Sequence, residues 1–197
     1  KLSDESWVFS AHINGQKVVV KRFLTSDPDA RVRGLKIELD YLEGVFCDGP
    51  YQANKCLMTW PEDGTVVLSF VPGQRLGDKI AASEGRKRQQ LLCQSGEWLA
   101  RYTNGRQRDN TFGPAFWIKK MLTKDLGHIH YPQDRDLLSQ IAGAMRSQMK
   151  TLRGCVVVQA ATHGDYVGIN AHFHAGVIYG VDIQGESWLP IAKEVAR

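Results

Sequence analysis

His163-Gly164-Asp165-Tyr166-Val167-Gly168-Ile169-Asn170 follows the apolar run Val156-Val157-Val158 and precedes, after a short hairpin-like segment, Val181-Asp182-Ile183. One apolar strand is expected to deliver an Asp and an Asn, and a second strand another Asp. Phosphoryl transfer needs a carboxylate beside the attacking hydroxyl and two oxygen ligands for Mg²⁺, held at fixed separation by rigid elements. This order of residues supplies all three. Three specified residues at such a spacing arise by chance in roughly one chain per hundred of this length, so the decision rests on what lies upstream.

Upstream, Val18-Val19-Val20-Lys21 reads as a strand ending in a lysine. It is preceded by Trp7-Val8-Phe9 and by Asn14-Gly15, the strongest short hairpin signal. A helix follows. Asp27 is a suitable N-cap, Pro28 fits the first helical position, and Val32, Leu35, Leu39, Leu42 and Phe46 share one face. Glu38 falls at the border of that stripe. A strand lysine held by a helix-borne glutamate is the pair that phosphate-clamping kinases use. Lys21 and Glu38 are therefore expected to form an ion pair, or to come within reach of one another on closure. Taken singly, each residue has a plainer reading: a solvated strand-end lysine, a helix-surface glutamate, turn-capping Asp165 and Asn170. Asp182 is harder to dismiss, because a carboxylate between Val181 and Ile183 is costly unless paired or metal-bound.

Lys21, Glu38, the segment Leu68-Ser69-Phe70-Val71-Pro72-Gly73, the His163 to Asn170 motif and Asp182 together resemble the aminoglycoside phosphotransferase and choline kinase group of small-molecule kinases. The resemblance runs from about Trp7 to the C-terminus. It is strongest over Thr162 to Gln184 and weak between Gly105 and Arg153. It implies an α+β, two-lobed protein-kinase-like fold: an antiparallel β N-lobe with one helix over residues 1–71, and a mainly helical C-lobe over residues 72–197. It also implies roles. Lys21 would contact the α and β phosphates of ATP, Glu38 would pair with it, and the backbone of Ser69, Phe70 and Val71 would receive adenine. Asp165 would be the catalytic carboxylate, and Asn170 and Asp182 would hold Mg²⁺. His163 would be a hydrogen-bonding residue of the loop, with no part in proton transfer.

The sequence departs from that family in several places. The phosphate-covering loop usually contains glycine, whereas Lys1-Leu2-Ser3-Asp4-Glu5-Ser6 has none. Either the first strand lies outside the chain or a serine-bearing turn replaces the loop. Asp182 is followed by Ile183-Gln184 instead of Phe-Gly, Gly164 stands where protein kinases carry arginine, and no activation segment follows. These features disfavour a protein kinase. The family carries more helix after this point, so the chain is expected to be short at both ends, with an incomplete C-lobe. A nucleotide-binding interaction protein with weak turnover is the alternative that these departures keep open.

The expected acceptor is a hydroxylated small molecule: a sugar, an amino alcohol or an aminoglycoside-like compound. Between Gly113 and Gly154, Lys119, Lys120, Lys124, Arg135, Arg146, Lys150 and Arg153 outnumber Asp125, Asp134 and Asp136. A polycation would prefer an acidic pocket, so the balance favours a neutral or anionic acceptor. The formal charge of +4 permits an anionic ligand such as ATP without arguing for nucleic acid. No apolar run reaches the length of a membrane span and the start lacks a signal-peptide pattern.

Cys47, Cys56, Cys93 and Cys155 have irregular spacings without a Cys-x-x-Cys pair, which favours reduced core thiols in a cytoplasmic protein. His128 with His130, and His172 with His174, lack a third ligand and read as non-metal residues. Arg86-Lys87-Arg88 reads as the solvated start of a helix. That helix places Leu91, Leu92, Ser95, Trp98, Leu99 and Tyr102 on one side, and Thr103-Asn104-Gly105 ends it. Asp134 is expected to cap a later helix carrying Leu138, Ile141, Met145, Met149 and Leu152. Pro61-Glu62-Asp63-Gly64 reads as a turn.

Overall fold

The structure, a computed structural model, describes residues 3–113, 131–184 and 187–195. Lys119, Lys120, Lys124, Asp125, His128 and His130 lie outside the described residues. The chain divides into two compact units, residues 1–107 with 160–197, and residues 108–159. In chain order the elements are β1 (Ser6–Ile13), β2 (Gln16–Phe23), α1 (Pro28–Val45), β3 (Tyr51–Ala53), β4 (Cys56–Trp60), β5 (Thr65–Ser69) and β6 (Gln74–Arg75). They continue with α2 (Leu76–Ala81), α3 (Gly85–Asn104), β7 (Gln107–Thr111), α4 (Pro132–Thr151) and β8 (Val156–Thr162). The last are β9 (Ala171–His174), β10 (Val177–Gly180), β11 (Ser187–Pro190) and α5 (Ile191–Val195). This is a mixed α+β fold, as expected.

The larger unit is organised by two sheets. The first has strand order β1-β2-β5-β4 and is antiparallel throughout. Its first hairpin turns on Asn14 and Gly15, at φ 51° and 76°, the pair of left-handed residues that matches strand twist. The second, order β3-β10-β9-β6, joins Tyr51–Ala53 in parallel to Ile178–Gly180. Nothing in the periodicity of three residues announces that pairing.

Helix α1 forms where its caps and stripe direct. The Asp27 carboxylate accepts the Ala30 N–H at 3.0 Å, and Val32, Leu35, Leu39 and Leu42 are buried. Each fully buried leucine or valine contributes about 1.5–3 kcal/mol relative to exposure. Glu38 is not at the edge of this stripe; it is buried within it, at 1% exposure. Helix α3 buries Leu91, Trp98, Leu99 and Tyr102, but Leu92 faces solvent, because the buried arc is narrower than the six-residue side read from the sequence. Residues 86–88 are exposed.

Trp98 is the hub behind the His163 loop. It stacks on Phe46, Tyr102 and Tyr166 with centroids 5.2, 5.3 and 4.8 Å away, and its Nε1–H donates to the Gln52 carbonyl at 2.8 Å. Gly180 lies flat against the indole, where any Cβ would collide. Gly180 is the last residue of β10. The expectation of Asp182 within a strand is therefore corrected: the strand stops at Gly180 and Asp182 occupies a bend at φ 59°. Asp and Asn are among the few non-glycine residues that adopt this left-handed conformation readily.

In the smaller unit, α4 starts at Pro132 with Tyr131 at its cap, three residues before the Asp134 expected there, because proline is pre-set for the first turn. Its apolar residues Leu138, Ile141 and Met145 are exposed. Asn110 donates to the Gln159 side chain at 2.9 Å, and the Phe112 N–H donates to Cys155 at 2.9 Å. The four cysteines are free thiols, but three are exposed and Cys56 only half-buried, so they are not the core residues expected. Among the described residues, no helix is long and apolar enough to cross a membrane.

Candidate active site

A cleft of about 290 Å³ opens in the larger unit. Its walls include Val8, Val19, Leu68 and Ile183, and the polar side carries Lys21, Asn170 and Asp182. Ser69, Phe70 and Val71, just past the end of β5, line the same space. Six of the eight residues singled out in the sequence thus border one cavity. Glu38 and Asp165 are not among its lining residues.

Lys21 is a buried lysine, and it is placed by strand register. On β2 it alternates with Val20 and Arg22, so its side chain turns to the same side as Val19 and Phe23. Its Nζ donates to Asp182 Oδ1 at 2.7 Å. The lysine side chain is 8% exposed and that of Asp182 34%. A pair of this kind keeps a buried ammonium compensated while leaving one partner open to the cleft.

The loop after β8 is held from both sides. The Asn170 amide donates to the Asp165 carbonyl at 2.9 Å and to its carboxylate at 3.1 Å. An amide whose NH₂ is engaged in this way presents its Oδ1 as an acceptor elsewhere. The Val181 N–H donates to the Asn170 carbonyl at 2.9 Å, which ties the loop to the Asp182 bend. On the far side, the Gly77 N–H donates to the Gly168 carbonyl at 2.8 Å, and a Cβ on Gly168 would meet the Gly77 backbone at 2.7 Å. Only two glycines allow α2 and the loop to come so close.

His163 is wholly buried beneath this arrangement. Its Nε2 lies 2.9 Å from the Val181 carbonyl and its Nδ1 accepts the Asp165 N–H at 3.4 Å, so one ring nitrogen donates and the other accepts. Burial depresses its pKa to about 4, against the opposing pull of the Val181 carbonyl, Asp182 and Asp165. A ring with both nitrogens engaged and no proton to spare near neutrality orders the loop, in keeping with the role expected of it.

The expected Lys21–Glu38 ion pair is not formed. Glu38 receives a fork of two hydrogen bonds from Arg106, Nη1 to Oε2 at 2.7 Å and Nη2 to Oε1 at 2.6 Å, and a further one from the Tyr102 hydroxyl. A guanidinium satisfies both carboxylate oxygens at once, which an ammonium does not, so Arg106 is the stronger claimant to a buried carboxylate. Arg106 was not singled out in the sequence, and Tyr102 only as one of the residues on the apolar side of α3. Arg106 follows the Thr103-Asn104-Gly105 stop of α3, and no local pattern there signals a partner 68 residues away.

Four further residues of the cleft bear on the site. Arg75 and His172 are cross-strand neighbours on β6 and β9, and both line it. Burial and the Arg75 charge lower the pKa of His172. Ser3 and Ser6 also line it, joined by a turn in which the Ser3 hydroxyl both donates to the Ser6 carbonyl and accepts its N–H at 3.0 Å.

No family model and no curated protein sequence matches the chain. Solved structures do. The aminoglycoside phosphotransferase APH(4)-Ia superposes with a TM-score of 0.62 at 17% identity, covering 100% of this chain and 68% of its own. The structure of the gentamicin–APH(2")-IIa complex gives 0.61 at 13% identity, over 98% of this chain and 66% of that one. A glucosamine kinase gives 0.59 at 15% identity, over 98% and 54%. The fold is thus that of the aminoglycoside phosphotransferases and related small-molecule kinases, as the sequence resemblance implied, and the chain spans about half to two thirds of these neighbours' lengths.

Proposed function

We propose that this chain is an ATP-dependent phosphotransferase that moves the γ-phosphate to a hydroxyl of a small molecule. The observation that carries this reading is the convergence of Lys21, Asn170 and Asp182 on one cleft with Ser69–Val71 at its apolar end. Residues 1–71 would then serve the nucleotide, and residues 72–197 the loop and the acceptor. The similar structures include a ternary complex with AMP-PNP and hygromycin B, which supports a nucleotide and a small-molecule acceptor as the two substrates.

In this reading, the apolar walls Val8, Val19, Leu68 and Ile183 take the base, and the backbone of Ser69 to Val71 fixes its edge. Lys21 reaches the α and β phosphates, and the Ser3–Ser6 turn stands at the rim in place of a glycine loop. Asp165, held by the Asn170 amide, orients the acceptor hydroxyl and takes its proton. The donor set of Asn170 and Asp182, an amide oxygen and a carboxylate, is the hard-oxygen chemistry that suits Mg²⁺. When bound, Mg²⁺ supplies neutralisation of phosphate charge. The acceptor is a sugar, amino alcohol or related hydroxylated compound, and the excess of Arg135, Arg146, Lys150 and Arg153 over Asp134 and Asp136 favours one that is neutral or anionic. The reading places the protein in the cytoplasm, where ATP is.

One observation favours a different reading. Glu38 is engaged by Arg106 and not by Lys21, which suits a nucleotide-binding protein with weak turnover. The two separate in a panel of hydroxylated compounds incubated with ATP and Mg²⁺, with Asp182→Asn alongside. Phosphorylated product from wild type, falling about 10²-fold or more in the variant, is the outcome expected of a phosphotransferase. Calorimetric ATP binding with no ADP from any acceptor would instead mark an interaction protein.

A further inference from the structure

We infer that Arg106 and Tyr102 are positioning residues for phosphoryl transfer, clamping α1 to the strand that delivers the His163–Asn170 loop. This rests on the phosphotransferase reading above. The clamp has two sides. Toward α1, Arg106 grips Glu38 with both nitrogens of its fork and lies over the Tyr41 ring, 3.9 Å from its centroid. Toward the loop, the Arg106 carbonyl accepts the Ala161 N–H at 3.1 Å, and the Tyr102 hydroxyl is shared between Glu38 and the Thr162 carbonyl, 3.3 Å away.

Thr162 is followed directly by His163. From there the connections continue without a gap: His163 to the Val181 carbonyl at 2.9 Å, and Asp182 to Lys21 at 2.7 Å. A path of hydrogen bonds therefore runs from the middle of α1, through Tyr102, past the base of the loop and back to Lys21 on β2.

Stability alone does not account for this arrangement. Buried ion pairs contribute little net stability compared with apolar residues of equal volume, and Arg106 leaves its Nε–H buried with no partner, which adds a cost. The side chains that form the clamp stay clear of the cleft lining, so they act on the nucleotide and acceptor only through the groups they hold. An aromatic hydroxyl and a guanidinium in fixed geometry instead supply what catalysis requires: a loop whose Asp165 is placed to within a fraction of an ångström. Burial and the adjacent Glu38 charge push the Tyr102 phenol well above its ordinary range, so it stays a donor at all working pH.

Tyr102→Phe and Arg106→Lys test the inference, compared with wild type by steady-state kinetics and by calorimetric titration of AMP-PNP. Tyr102→Phe removes one hydroxyl and no volume. Its kcat is expected to fall about ten-fold while nucleotide affinity stays within about two-fold, the split that marks an interaction acting on placement and not on binding. Arg106→Lys keeps the charge but loses the fork, and a larger fall in kcat with the same split is expected. Equal kcat for wild type and both variants, whatever their melting temperatures, overturns the inference and leaves the phosphotransferase reading standing. A kcat loss matched by an equal loss of nucleotide affinity overturns it too. If Arg106→Lys does not fold, Tyr102→Phe decides alone. Absence of transfer by wild type itself to every acceptor overturns both.

Discussion

Two carboxylates, Asp182 and Glu38, have met different fates. Asp182 sits in a bend at the edge of the cleft with a third of its side chain exposed, and its partner Lys21 is a single flexible ammonium. Glu38 is sealed in the α1 core, with a guanidinium and a phenol fixed around it. An open pair can trade its partner for an incoming phosphate or cation at small cost, because water and ligand stand in for what is lost. A sealed pair has no such exchange. The pair that the sequence reading placed at the centre of the chemistry, Lys21 with Glu38, is thus divided between an adaptable half and a rigid half.

The sealed half should break hardest. Glu38→Ala removes one member of a buried pair and leaves Arg106 charged without a counter-ion, a change that typically costs about 3–5 kcal/mol. Chemical denaturation is expected to show a fall of that size in unfolding free energy, read as a lower midpoint at unchanged slope. A shift below about 1 kcal/mol would mean that Arg106 reaches solvent and the pair is not sealed.

The next effect is acid sensitivity from His163, which lies between the two halves. Its folded pKa, about 4, is below the ordinary value of 6.5, so the unfolded chain binds its proton first as pH falls. Its contribution is therefore complete above pH 6.5 and lost progressively down to about pH 4, by on the order of 3 kcal/mol at one pKa unit per about 1.4 kcal/mol. Denaturation midpoints measured at pH 7, 5.5 and 4.5 should fall in that order. His163→Gln, which does not titrate, should flatten that part of the curve. A variant with the wild-type slope would show that other groups carry it.

The smallest effect sets the scale for the other two. Asp29 and Arg33 form a geometrically good, solvent-exposed pair on the first turns of α1, at 2.7 Å. Asp29→Asn is expected to leave the thermal midpoint indistinguishable from wild type at 0.15 M salt, where exposed pairs are screened. A clear drop would show that the start of α1 is held by this pair and not by Asp27 and the buried stripe.

What could be read from the residues follows a physical line. The β1–β2 hairpin, the Asp27-capped helix and the Pro61–Gly64 turn are specified by neighbours in the chain, and they stand as expected. Motif order led to the expectation that Asp165, Asn170 and Asp182 converge; Asn170 and Asp182 line one cleft with Lys21, while Asp165 is held by the Asn170 amide outside its lining. Partner choice was not legible, because Arg106 and Glu38 meet through the packing of α3 on α1. Nor was the end of β10, since Val181-Asp182-Ile183 has strand composition but lies beyond Gly180, the last residue paired to β9. Arg75 and His172 came to line the cleft by tertiary placement alone, whereas a serine-bearing turn before Trp7 was one of the two alternatives read from the residues.

The Lys21–Asp182 contact closes a span of 161 residues. During synthesis at roughly 5–20 residues per second, Lys21 emerges about ten to thirty seconds before the residue that neutralises it. Throughout that interval the β1-β2-β5-β4 sheet must keep its ammonium hydrated. The face that later becomes the cleft wall therefore stays open until the last strands arrive, and the β3–β10 pairing, which unites chain segments more than a hundred residues apart, can form only then. High sequence separation of this kind slows folding. The cleft is accordingly completed late in synthesis, and a nascent chain halted before Gly180 carries half of its lining with no means of closing it.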